Sequence, residues 1–206
     1  MKNRRRKKPA KAITSKQDLQ RLVAYLEASS KYGDRNAMIW ETSVGTGFRM
    51  GDLVGLTVGQ VREFLAQGEF YIFESKKKNT KKIRKINNKP REVPIPLKLA
   101  RRLRKYIEDK NDWEYMFPSN KKTYNHISVD RVSKILKEAG EKIGILGLSA
   151  HSGRKTYATI LYIESDYDLV YVNERLGHST FEQTKLYLDI KRYNGRNYLD
   201  SLNDYL

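Results

Sequence analysis

A few short stretches of this chain place chemically capable side chains at telling intervals. His151 and Arg154 stand three residues apart, a spacing that puts both on one face of a helix and so into one site. His178 follows Gly177 at a predicted helix end, and Tyr187 comes nine residues later on a helix that Thr180 is placed to cap. Upstream, Gly45-Thr46-Gly47-Phe48-Arg49 sets an arginine at a glycine-rich helix start, with Asp52 three residues on. Arginine presents a planar fork of donors, imidazole exchanges protons near neutral pH, and a hydroxyl can act as nucleophile. Such a set suits work on an anionic group.

The elements that must position these residues are mostly helical. Thr14 with Gln17 fits a capping box ahead of an apolar stripe of Leu19, Leu22, Val23 and Leu26. Asp34 is read as the cap of a second helix carrying Ala37 to Val44, and a third, short helix follows from about Phe48 to Leu56. Phe70-Tyr71-Ile72-Phe73 and Glu92-Val93-Pro94-Ile95 are β-type runs around a very basic segment from Lys76 to Arg91, with Asn87-Asn88 a candidate turn. Pro94 keeps the second run near a sheet edge. Helical pattern returns with Leu99, Leu103 and Ile107, then with a helix capped by Ser128. Three more helices are predicted near 150–163, 168–176 and 180–191, with Ser149, Asp168 and Thr180 as caps. The predicted fold is α+β, mainly α-helical, with one small antiparallel sheet.

Composition narrows the partner. The 206 residues carry 41 Lys and Arg against 24 Asp and Glu, a net charge of +17. Charge of one sign in that excess points to a polyanion such as nucleic acid, the alternative being a merely soluble basic protein. There is no cysteine, hence no disulfide framework or thiolate zinc site, and the three histidines are too dispersed for a local metal motif. No GxxxxGK(S/T) phosphate loop is present. Neither a signal peptide nor a membrane-length apolar run is found, so a cytoplasmic protein with no membrane partner is expected. The first dozen residues are a basic arm, read either as a phosphate-binding strap or as a solubilising tail.

The ordered motifs TGFRMGDLVGL at 46–56, HSGRKTYAT at 151–159 and LGHSTFEQTKLYL at 176–188 resemble those of the tyrosine recombinases, the phage integrase family. The resemblance runs from about residue 13 to 191. It implies a basic arm over 1–12, a catalytic domain over 13–192, and a tail helix over 193–206 that docks on a neighbouring protomer or on its own domain. The implied reaction cuts and rejoins DNA through a 3′-phosphotyrosine, with no cofactor and no metal. Tyr187 is then the nucleophile, and Arg49 and Arg154 hold the non-bridging oxygens of the transition state. His151 is the general acid–base, and His178 donates to a phosphate oxygen. A hairpin lysine protonates the leaving 5′-oxygen; Lys76, at the end of the first strand, is the expected one, with Lys78 of the same parity as runner-up. Asp52 orients Arg49, or is simply an acidic residue favoured at a helix start. Lys77, Lys78, Lys81, Lys82, Arg84 and Lys155 are expected to meet DNA.

Departures from the family pattern are also informative. Lys155 stands where histidine is common, and Gly153 replaces an apolar residue, which is read as room for close approach of the DNA backbone. The hairpin is longer and more basic than usual. Many relatives carry a helical domain ahead of the catalytic one; here only about a dozen residues precede the first helix, as in a fragment or in a small one-domain recombinase that inverts DNA switches, and the Met1 start favours the second. The implied partners are double-stranded DNA and three further copies of the chain, a homotetramer on paired sites that is monomer or dimer when free. The implied setting is bacterial or phage-derived, on the nucleoid. Rival readings are strand relaxation of the type IB topoisomerase kind, a non-catalytic DNA-binding protein of the same fold, and a basic RNA-binding module.

Overall fold

The computed structural model describes residues 10–72, 90–120 and 125–190. Lys76, Lys77, Lys78, Lys81, Lys82 and Arg84, most of the arm and the 193–206 tail lie outside the described residues. The described helices are α1 (Lys16–Ala28), α2 (Gly33–Thr46), α3 (Met50–Val54), α4 (Val58–Gln67), α5 (Leu97–Ile107), α6 (Val129–Lys142), α7 (Ser152–Glu164), α8 (Leu169–Leu176) and α9 (Phe181–Tyr187). Between α4 and α5, strands β1 (Glu69–Ile72) and β2 (Arg91–Pro94) pair antiparallel, with Phe70 opposite Val93 and Ile72 opposite Arg91. A mainly helical α+β fold with one small antiparallel sheet is what the sequence predicts.

Helix α2 is the axis of the fold and packs against α1, α3, α5 and α7. Ala37, Met38, Ile39 and Trp40 are all buried along it, so it reads as a core helix rather than an amphipathic one. Two of its buried hydroxyls are satisfied within the helix: Thr42 donates to the Met38 carbonyl at 2.7 Å and Thr46 to the Thr42 carbonyl at 2.7 Å. Its start is glycine for a steric reason. A Cβ on Gly33 would lie 1.9 Å from the Glu27 carbonyl oxygen of α1. Asp34 therefore falls in the first turn and not at the cap.

Other boundaries shift by a residue or a turn. Ser15, not Thr14, caps α1, accepting from the Asp18 amide at 3.3 Å. Ser128, Asp168 and Thr180 cap α6, α8 and α9 as expected, each accepting a backbone N–H three residues on. Helix α7 begins with His151 at its cap, while Ser149 accepts the His151 amide one step earlier. Helix α9 closes at Tyr187 instead of running to 191.

Helix α4 is absent from the sequence-based expectation, although its signal is present. Thr57 and Gln60 form a full capping box, and Val58, Val61, Phe64 and Leu65 are buried at helical spacing. Phe64 and Phe48 both meet Phe70 of β1, with ring centroids 5.3 and 6.2 Å apart. The sheet is thereby anchored through its inward residues Phe70, Ile72, Arg91 and Val93.

The junction between the basic arm and the domain is tied down. The Lys11 amide donates to the Gly147 carbonyl at 3.0 Å, and the Ile13 amide to the buried Thr156 hydroxyl of α7 at 2.9 Å.

Candidate active site

The site is built around Gly47, which ends α2 in the left-handed conformation at φ 60°. Any side chain there would strike the Tyr157 ring, 2.2 Å from the ideal Cβ. With the backbone turned this way, the Gly47 carbonyl receives two guanidiniums: Arg154 Nη1 at 2.7 Å and Arg91 Nη1 at 3.2 Å. Arg91 also donates to the Thr46 carbonyl and lies over the Phe48 ring, 4.2 Å from its centroid. The α2 carbonyls left over at a helix end thus hold the site's cations in place.

Arg154 is only 3% exposed. Its second amino group donates to the Leu176 carbonyl, at the end of α8, at 2.7 Å. One side chain therefore ties the α2 terminus to α8 and fixes where its charge sits. Arg49 begins α3 as its N-cap, and Asp52 lies in the first turn of that helix.

His151 stands exposed at the start of α7, one turn before Arg154. Beyond α8, Gly177 at φ 62° turns the chain and presents His178. The His178 ring meets the Tyr187 ring edge to face, with centroids 5.5 Å apart. The Tyr187 hydroxyl faces the His151 carbonyl at 3.5 Å. Burial pushes the Tyr187 phenol up to about 12, while Arg154, which is hydrogen-bonded to it, Arg49 and Arg91 pull the other way. The phenol therefore keeps its proton at neutral pH. Arg49, His151, Arg154, His178 and Tyr187, drawn from α3, α7, α9 and the turn after α8, come together in one place.

Three sequence-based expectations change. Lys155, expected to meet DNA, is buried beneath the surface, and its ammonium is paired with Asp189 Oδ2 at 2.5 Å, two residues past Tyr187. Gly153 is not room for DNA. A Cβ there would lie 2.3 Å from Ser43 Oγ, so the glycine lets α7 close on α2. Arg91, grouped by sequence with the hairpin's basic run, belongs to the site. Strand parity could have shown it, since Arg91 and Val93 share the inward face. His126 stays apart, with its ring against Tyr115, 5.2 Å between centroids. Among the described residues no group of three or more His, Asp or Glu side chains is arranged to hold a metal ion, and no helix is long and apolar enough to cross a membrane.

A small sheet set into a helical body, with arginines, histidines and a tyrosine gathered at one helix terminus, defines the class. The chain belongs to the phage integrase family, whose model matches residues 12–193. It is similar to the tyrosine recombinase XerA of Thermococcus kodakarensis, 29% identical over 182 residues that cover 87% of this chain and 58% of that protein. The crystal structure of XerA recombinase matches with a TM-score of 0.63 at 22% identity, over 96% of this chain and 66% of that one. XerH site-specific recombinase, in a post-cleavage complex with a palindromic difH substrate, matches with a TM-score of 0.61 at 20% identity, over 97% of this chain and 54% of that one. At these identities the structural likeness speaks to fold. The chain thus spans 58% of the length of its XerA relative.

Proposed function

We propose that this chain is the catalytic domain of a site-specific DNA recombinase and that Tyr187 is its nucleophile. The observation that carries the reading is the Tyr187 hydroxyl itself, set against Arg154, Arg49 and Arg91 with the His178 ring alongside. In the reaction, the Tyr187 oxygen bonds to phosphorus and the bond to the 5′-oxygen breaks, leaving a 3′-phosphotyrosine. His151 takes the phenolic proton, and Lys76 supplies one to the departing 5′-oxygen. Arg49 and Arg154 balance the charge that builds on the non-bridging oxygens. Attack by a 5′-hydroxyl of the partner strand then reverses the step and frees Tyr187, so no external energy source is needed. Support for double-stranded DNA as substrate comes from the +17 charge and from XerH, whose structure holds its DNA site. Exchange between two sites requires four active centres, hence a homotetramer on DNA, working in the cytoplasm on the nucleoid.

A nicked suicide DNA duplex tests this. The expected result is a covalent protein–DNA band on a denaturing gel that Tyr187→Phe abolishes. An adduct that survives this substitution overturns the assignment. Relaxation of supercoiled plasmid lacking paired sites, without recombination of plasmids that carry them, would favour a topoisomerase instead.

A further inference from the structure

We propose that Asn173 and Thr184 are positioning residues that fix the proton of His178 on Nδ1, so that Nε2 is its working nitrogen. Three hydrogen bonds fix the ring. Asn173 Nδ2 lies 3.3 Å from the His178 carbonyl, and only the amide NH2 can donate to a carbonyl, so Asn173 Oδ1 faces the other way. There it accepts the Thr184 hydroxyl at 2.7 Å. That hydroxyl has one proton, and Asn173 Oδ1 takes it. The remaining partner of Thr184 Oγ1 is His178 Nδ1 at 2.9 Å. With its proton committed, Thr184 can only accept from the ring, and Nδ1 must carry hydrogen.

The arrangement is built rather than incidental. Thr184 is fully buried on α9, the one wholly buried side chain of that helix. Asn173 lies one turn before the end of α8, and its own carbonyl takes the His178 amide at 3.2 Å. The relay therefore joins α8 to α9 and orients the histidine between them, and Thr184 stands three residues before Tyr187 on the same helix.

The consequence rests on the proposed function. A neutral imidazole has one N–H, here on Nδ1, so Nε2 can only accept. Nε2 donates to a phosphate oxygen only when the ring is a doubly protonated imidazolium. His178 thus differs from an arginine: it serves the phosphate only with a proton aboard. Among the described residues, the ionisable groups near it include Tyr187 from α9 and, around that hydroxyl, Arg154 from α7, Arg49 at the start of α3 and Arg91 from β2.

Imidazole 15N spectra of the labelled full chain read the tautomer directly, with His178→Asn identifying the signal among three histidines. Above the ring's titration, His178 is expected to show a protonated Nδ1 and a bare Nε2. Thr184→Val should move the ring toward the Nε2–H form that free imidazole side chains prefer, and Thr184→Ser should restore the original pattern. With DNA, Thr184→Val should form the phosphotyrosine adduct about tenfold more slowly, as for loss of one charge-assisted hydrogen bond, and Thr184→Ser should recover the rate. An Nε2–H signal in the unsubstituted protein overturns the proposal, whatever the variants do. An unchanged tautomer in folded Thr184→Val overturns it as well. Because the spectra need neither DNA nor turnover, a failure here is distinct from failure to form an adduct.

Discussion

Arg154 and Tyr187 meet at one site but stand on different foundations. Arg154 is gripped by the Gly47 and Leu176 carbonyls, beside a helix whose residues Ala37 to Trp40 are all buried. The continuous core around that helix includes Trp40, Phe48, Leu53, Phe70 and Phe117. Tyr187 sits at the end of a seven-residue helix over a satellite cluster of Tyr157, Ala158, Val172 and Leu176. On that helix Leu186 is 79% exposed and Phe181 43%. The arginine half of the site is thus held in place by the main core, the rigidity that the proposed charge stabilisation would need. The Tyr187 half is held by a few polar ties: the Lys155–Asp189 pair and the His178–Thr184–Asn173 relay. Elements with so little apolar burial open locally at lower free energy than the core.

The largest difference between the two regions is expected from a matched pair of cavities. Leu53→Ala, in the main core, should cost about 3–5 kcal/mol in denaturant unfolding. Leu176→Ala, in the satellite, should cost about 2 kcal/mol or less globally because the smaller cluster can relax. By hydrogen exchange its effect should be confined to α8 and α9. Equal global losses would show that the two clusters form one cooperative unit.

Gly47→Ala probes the junction between them. The left-handed backbone alone costs about 1–2 kcal/mol for a non-glycine residue, and the clash with Tyr157 adds to it. Adduct formation should fall steeply, since the carbonyl that holds Arg154 and Arg91 would move; normal adduct formation in this variant would show that the Gly47 carbonyl does not set the position of these arginines.

Asp189→Asn probes the Tyr187 side. Asp189 has φ 56°, a conformation asparagine tolerates well, so the substitution tests the charge and not the backbone. It leaves the Lys155 ammonium buried without its counter-ion. Because Asp189 is itself 61% exposed, the expected cost is only about 1 kcal/mol. The expected signature is adduct formation slowed about tenfold with DNA affinity little changed; Lys155→Met, which removes the buried charge, should be milder.

The smallest effect is in alkaline titration. The Tyr187 phenol, held up to about 12 in the folded chain, binds its proton more tightly there than when unfolded, at about 10. Its contribution to stability is therefore complete below about pH 10 and lost as pH rises through about 12. Ultraviolet difference titration of the native protein against Tyr187→Phe should show one tyrosine fewer ionising at the upper end.

Much of this site is legible along the chain because its signals are local. Caps at Ser128, Asp168 and Thr180 act over three residues, and the nine-residue step from His178 to Tyr187 spans one turn and one short helix. The α4 capping box is equally local, so that helix too is legible in Thr57 and Gln60. Other features could not be read this way. Gly153 is small because of Ser43, more than a hundred residues earlier in the chain. Lys155 turns inward because Asp189 lies across from it, and Arg91 joins the site because strand register aims it at Gly47.

By itself, then, the sequence determined which residue types are available, in what order, and on which helices and strands most of them ride. These follow from backbone hydrogen bonding and apolar periodicity within a few residues. Only the tertiary structure decided which cations face the tyrosine, which one is buried with a carboxylate instead, and which nitrogen of His178 holds its proton. Those outcomes depend on desolvation and on donor–acceptor pairing between distant segments, and these exist only once the segments are packed together.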